Sequence, residues 1–250
     1  MKVALFVPCF VDQLRPQVAR ATLALLERLG VEVEYPPDQT CCGQPMANAG
    51  CERDALAAYR HFVDVFARYD HVVAPAGSCV HHVRHHYDVL DQTPAVRHVR
   101  ERTHELCGFL TEVLQVRSLD AAFPHRVGLH LGCHGLRGLG LGKGSELGPD
   151  QGRVDGGPAE ALLRMVSGLT LVDLDHPDEC CGFGGTFALT EAAVSARMGR
   201  DRVADHRRHG AEVIVSGDVS CLLHLEGVIR RQGLGIRTLH IAEVLAGEAL

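Results

Sequence analysis

Eight of the ten cysteines follow one order that is written twice along the 250 residues. Cys9 is followed after 31 residues by the pair Cys41-Cys42, and after a further 36 by Cys79. Cys133 is followed after 46 residues by Cys180-Cys181, and after 39 more by Cys221. Glycine follows each vicinal pair (Gly43, Gly182), and serine precedes each last cysteine (Ser78, Ser220). Chance is a poor account of one order repeated with its flanking residues, so the chain reads as two copies of one unit. Cys51 and Cys107 have no counterpart in the other copy and read as buried, apolar cysteines.

The segments between the cysteines repeat too. A strand over 2–10 (KVALFVPCF) ends in Cys9, and a helical pattern over 16–29 is stopped by Gly30. A strand over 31–35, a helix over 55–68 and a strand over 71–74 lead to Gly77-Ser78-Cys79. The second copy runs strand 126–133, helix 158–166, strand 169–174, helix 191–206 and strand 211–216 to Ser220-Cys221. A strand over 235–240 and a short helix close the chain. Strands alternating with helices predict an α/β fold of parallel sheets flanked by helices. Near-continuously apolar strand cores (VALFV, VGLHL, EVIVS) fit strands covered on both faces. We expect two pseudo-repeated halves, 1–123 and 124–250. With 46% hydrophobic residues the chain can build one large core or two smaller ones.

In parallel sheets, binding sites form beyond the carboxyl ends of strands, where every repeated cysteine falls. Four thiolates converging from three loops make a soft-ligand site, suited to Fe–S clusters, Zn or Cu(I). Cys79 and Cys221 each precede an expected helix, whose dipole favours the thiolate. Gly43 and Gly182 permit the backbone turn that aims neighbouring side chains at one centre. The N-terminus has a short apolar stretch, one lysine and no small-residue cleavage site before Asp12, so it reads as a buried strand and not an export signal. A cytoplasmic, reducing location follows, in which cysteines bind metal or do redox work sooner than pair as disulfides.

The spacing Cys9, Cys41-Cys42, Cys79, with the motifs CCGQP at 41–45 and CCGFGGTF at 180–187, resembles the CCG cysteine-rich domain family. That family includes the cysteine-rich component of heterodisulfide reductase and the iron–sulfur subunits of glycolate oxidase and glycerol-3-phosphate dehydrogenase. The short, two-copy form looks most like the lactate utilization protein A family, over essentially the whole chain. The resemblance implies an iron–sulfur electron-transfer subunit of an L-lactate (2-hydroxyacid) oxidising complex, lactate to pyruvate. It implies one or two clusters of 4Fe-4S type per chain, held by Cys9, Cys41, Cys42 and Cys79 and by Cys133, Cys180, Cys181 and Cys221. Its partners would be other iron–sulfur and accessory subunits. No residue is singled out as catalytic.

The chain departs from the heterodisulfide reductase relatives at two positions. There the last cysteine of each half opens a C-x-x-C, whereas here His82 and His224 occupy the second position. Either a four-cysteine site or one completed by His82 or His224 remains. Zinc is therefore an alternative occupant. Thiol–disulfide chemistry and a structural or sensory zinc protein stay open as rival functions.

Net charge −6, 5% aromatics and no tryptophan argue against nucleic acid and anionic membrane as partners. No run of about 18 apolar residues suggests a membrane span. The run 81–86 (HHVRHH) reads as a solvated helix face, and His134 as a neighbour or proton relay of Cys133. The glycine-rich stretch 132–157 carries Gly144 after Lys143, so it fails the phosphate-loop pattern and reads as a mobile connection.

Overall fold

The computed structural model describes residues 1–147 and 154–247. Four strands, β1 (Val3–Leu5), β2 (Val33–Glu34), β3 (His71–Ala74) and β4 (Thr103–Glu105), form one parallel sheet in the order β2-β1-β3-β4. Strands β5 (Arg126–Leu129), β6 (Thr170–Leu171), β7 (Val213–Ser216) and β8 (Arg237–His240) repeat that order as β6-β5-β7-β8, again parallel. The helices of the first half are α1 (Cys9–Leu14), α2 (Pro16–Arg28), α3 (Gln44–Asn48), α4 (Glu52–Phe66), α5 (Gly77–His86), α6 (Pro94–Arg102) and α7 (Leu106–Gly108). Those of the second are α8 (Gly157–Leu163), α9 (Phe187–Thr190), α10 (Ala192–Arg208), α11 (Val219–Arg231) and α12 (Ile241–Leu245).

The α/β fold of two parallel, helix-flanked halves is thus present, with two differences at the cysteines. Strand β1 stops at Leu5, and Pro8, which has no N–H for a ladder, stands at the N-cap position of α1, in which Cys9 is the first residue. Cys79 and Cys221 lie inside the first turns of α5 and α11, not ahead of them.

The core crosses the boundary between the sheets. Val3, Leu25, Leu106 and Phe109 pack in one buried cluster with Val127, Leu162, Val213, Ile241 and Leu245. The packing is reciprocal: α12 of the second half lies on α2 of the first, and α7 of the first lies on α8 of the second. Arg28 donates to the last carbonyls of that seam, at Leu245 (2.7 Å) and Ala246 (2.9 Å). A second cluster around Phe6, Tyr59, Phe62, Phe66 and Tyr87 backs the first cysteine set, and a smaller one around Val203, Ile214 and Leu225 backs the second. Among the described residues no helix is long and apolar enough to cross a membrane.

Candidate metal centres

Each cysteine set assembles where the sequence order places it, beyond the strand carboxyl ends. In the first half α1 presents Cys9, the loop after β2 presents Cys41 and Cys42, and α5 presents Cys79. Cys9 Sγ and Cys41 Sγ are 3.7 Å apart, and Cys42 is 1% exposed. The turn that sets the vicinal pair depends on Gly43, at φ +86°; a Cβ there would stand 2.5 Å from the Tyr59 ring. Its counterpart Gly182, at φ +89°, would bring a Cβ within 2.8 Å of the Ser195 carbonyl oxygen.

The electrostatics also repeat. Hydrogen bonds from Cys42 and Cys9, with the Gly43 N–H at 3.4 Å, pull the Cys41 thiol down to about 3. Hydrogen bonds from Cys133 and Cys181, with the Gly182 N–H at 3.3 Å, pull Cys180 down to about 2. The partners move the other way: Cys9 is raised by its hydrogen bond to Cys41, and Cys133 by its hydrogen bond to Cys180. Cys42 and Cys181 are raised by donating to the same two cysteines and by burial. In each set the thiolate is thus favoured at one cysteine, Cys41 or Cys180, and disfavoured at its neighbours, which must lose protons when a cation binds. Soft donors in this number and closeness can hold a metal cluster or a tetrahedral ion.

Both sets open on one cavity of about 640 Å³, lined by Cys9, Cys42, Cys79, Cys133, Cys180, Cys181 and Cys221. The two halves meet over it: Phe10 of α1 and Phe183 stack edge to face at 5.8 Å, and Thr186 Oγ1 donates to Asn48 O of α3.

The histidines singled out from sequence have other partners. His82 Nε2 is 2.9 Å from the Tyr59 hydroxyl, and His224 Nε2 is 3.2 Å from the Ser195 carbonyl oxygen. Burial and the neighbouring His86 push His82 down to about 4, so it is neutral at pH 7. His134 Nδ1 lies 3.9 Å from Cys133 Sγ, and its ring is 5.1 Å from that of His81. In the run 81–86, His82 is 1% exposed, so it is not wholly a solvated face. Cys107 is buried as expected, whereas Cys51 is exposed at the N-cap of α4. Where described, the glycine-rich stretch carries a π-helical turn, His134–Gly138, and an antiparallel bridge between Lys143 and Asp155. Arg137 ties it to Asp178 at 2.7 Å, while 148–153 lie outside the described residues.

One residue the sequence reading passed over is His130. A ring nitrogen of His130 and the sulfurs of Cys181 and Cys221 all lie within 4.8 Å of one another. Embedded in VGLHL, it read as one more strand residue; only a position-by-position comparison of the two halves would have marked it.

Two parallel sheets, each with a vicinal Cys-Cys-Gly turn at its carboxyl edge, define a CCG cysteine-rich protein. The cysteine-rich domain family matches residues 3–84 and again 127–226. Lactate utilization protein A of Halalkalibacterium halodurans is 38% identical over 98% of this chain and 96% of its own. Its namesake in an Exiguobacterium species is 39% identical over 97% and 96%. The chain belongs to the lactate utilization protein A family. A crystal structure of a hypothetical protein from Helicobacter pylori shares the fold with TM-score 0.66 at 11% identity, this chain spanning about half (49%) of its length.

Proposed function

We propose that this chain is an iron–sulfur electron-transfer subunit of a complex that oxidises L-lactate to pyruvate. The observation that carries the reading is the cleft lined by seven cysteines drawn from the two sets; the relatives named for lactate utilization supply the substrate. Cys9, Cys41, Cys42 and Cys79 would hold one centre and Cys133, Cys180, Cys181 and Cys221 the other, in units 1–123 and 124–250. Clusters of 4Fe-4S type, when bound, supply one-electron redox chemistry. The chain's own part is to hold them apart from bulk water, with Cys42 and Cys181 buried behind each centre. The Gly43 and Gly182 N–H groups point at cysteine sulfur, which favours the more reduced, more negative state. Lactate would be oxidised on partner iron–sulfur and accessory subunits in the cytoplasm, so the chain is an oxidoreductase only as part of that assembly.

Zinc is the rival occupant, favoured by the Cys181–Cys221–His130 grouping. Protein purified without air from iron-replete cells separates the two: brown protein with iron supports electron transfer. Colourless protein with zinc overturns it. In cells, deletion should block growth on lactate and spare growth on pyruvate.

A further inference from the structure

The two centres are backed by different chemistry. Phe6 and His130 hold the same place in the two sheets: Phe6 N donates to Val73 O at 2.9 Å, and His130 N to Val215 O at 2.8 Å. The registers agree, Leu5 lying opposite Val73 and Leu129 opposite Val215. Ala55 packs beneath Gly43 as Ser195 does beneath Gly182. Counting equally onward from each, Phe62 matches Arg202 and Phe66 matches His206. The first half thus has an aromatic trio, with ring centroids 4.9 Å (Phe6–Phe62) and 5.7 Å (Phe6–Phe66) apart. The second half has His130, Arg202 and His206 in those positions, each no more than 1% exposed.

Arg202 and His206 are partnered: Arg202 binds Asp205 at 3.0 Å and His206 Nε2 at 3.3 Å. His130 is not. Both its ring nitrogens are buried without a hydrogen-bond partner among the described residues. Burying such groups unpaired forfeits the hydrogen bonds they make to water, a cost the Phe6 position avoids. A donor bond to a metal at the Cys181–Cys221 side removes part of it. His130 also lines a small cavity together with Glu105 and Asp218.

We propose that His130 is a nitrogen donor of the second centre, so that the pair is unequal: thiolate only in the first half, thiolate and imidazole in the second. The inference rests on the reading that both cysteine sets hold metal, and goes beyond it by ordering them. Where the imidazole takes an iron position that one of the four thiolates would otherwise hold, it raises the cluster's potential. Electrons would run from the first centre to the second.

The test uses the full chain, purified anaerobically with ¹⁵N-labelled histidine. Pulsed EPR of the partly reduced protein should show a directly bound nitrogen on the centre reduced first. In His130→Phe, the residue of the first half, that coupling should vanish and the second centre should become harder to reduce. His130→Gln, which keeps a polar side chain, should lose the histidine coupling too and covers a failure of the phenylalanine variant to fold. A nitrogen coupling that survives both variants, or none in the parent protein, overturns the proposal. Colourless zinc protein would end the electron-transfer reading but not this one. Zinc X-ray absorption would then show an imidazole lost in His130→Gln, and an all-sulfur shell would overturn it.

Discussion

Ala76 and Asp218 pair in an antiparallel bridge, and they are the same position of the two halves, just ahead of the helices that carry Cys79 and Cys221. Only Asp218 has a side chain that can act there. Its Oδ1 accepts from Ser220 N (3.3 Å) and Ser220 Oγ (2.7 Å), and its Oδ2 from Ser78 N of the other half (2.9 Å). One carboxylate thus orients the starts of both cysteine-bearing helices.

Asp218→Ala should therefore cost roughly 1–3 kcal/mol, the range for a lost cap plus a stranded N–H. Unlike a cysteine change, it should weaken metal retention in both halves. Urea unfolding and metal content after dialysis measure the two effects; loss confined to the second half would deny the shared role.

Glu105 sits on the same seam, capping α7 through Gly108 N at 3.1 Å. Burial pushes its carboxyl up to about 7. An acid whose folded pKa is raised stays protonated in the fold while the unfolded chain ionises, so stability falls as pH rises from about 4.3 to 7. At about 1.4 kcal/mol per unit, the loss is on the order of 4 kcal/mol. Buried His240, pushed down to about 4 by desolvation, has the opposite slope, losing stability as pH falls from about 6.5 to 4. The difference between Glu105→Gln and the parent protein cancels the histidines. That variant should gain relative stability between pH 5 and pH 8, seen in urea midpoints, and a pH-independent difference would contradict the buried-acid account.

The repeat was legible because its markers are residues whose chemistry is local: vicinal cysteines, the glycine after them, the serine before the last thiol. What escaped were elements whose reason is tertiary. Strand β4, Thr103–Glu105, is three polar-looking residues and is a strand only because β3 offers it an edge. Its counterpart in the second half, β8, was visible because an apolar helix follows directly. The expected strand through Cys9 overran, since hydrophobic pattern alone continues past Phe6 while the ladder ends there. His130 was hidden for the converse reason, a polar donor carried in an apolar strand.

Gly43 and Gly182 test the turn independently of the sulfurs. At φ +86° and +89° an alanine is strained, and its Cβ would collide with Tyr59 in one half and the Ser195 carbonyl in the other. Gly182→Ala should cost more, because backbone yields less than the Tyr59 ring. Each variant should unseat only its own centre, with thermal unfolding and metal content as the measures.

The ligand sets themselves are tested by serine. Cys180→Ser and Cys181→Ser should remove the second centre and spare the first, since serine at neutral pH offers a protonated hydroxyl where a soft thiolate is needed. Cys180 is the more telling of the two, because hydrogen bonds from Cys133 and Cys181 favour the thiolate there. Cys51→Ser should leave metal content unchanged, for Cys51 is exposed at the start of α4 and belongs to neither set. Cys107 is buried beside Glu105, so Cys107→Ala should cost stability without metal loss. Iron and sulfide per chain, measured on anaerobically purified protein, read all four. Loss from Cys51→Ser equal to that from Cys180→Ser would mean that the doubled order of the cysteines does not define the centres.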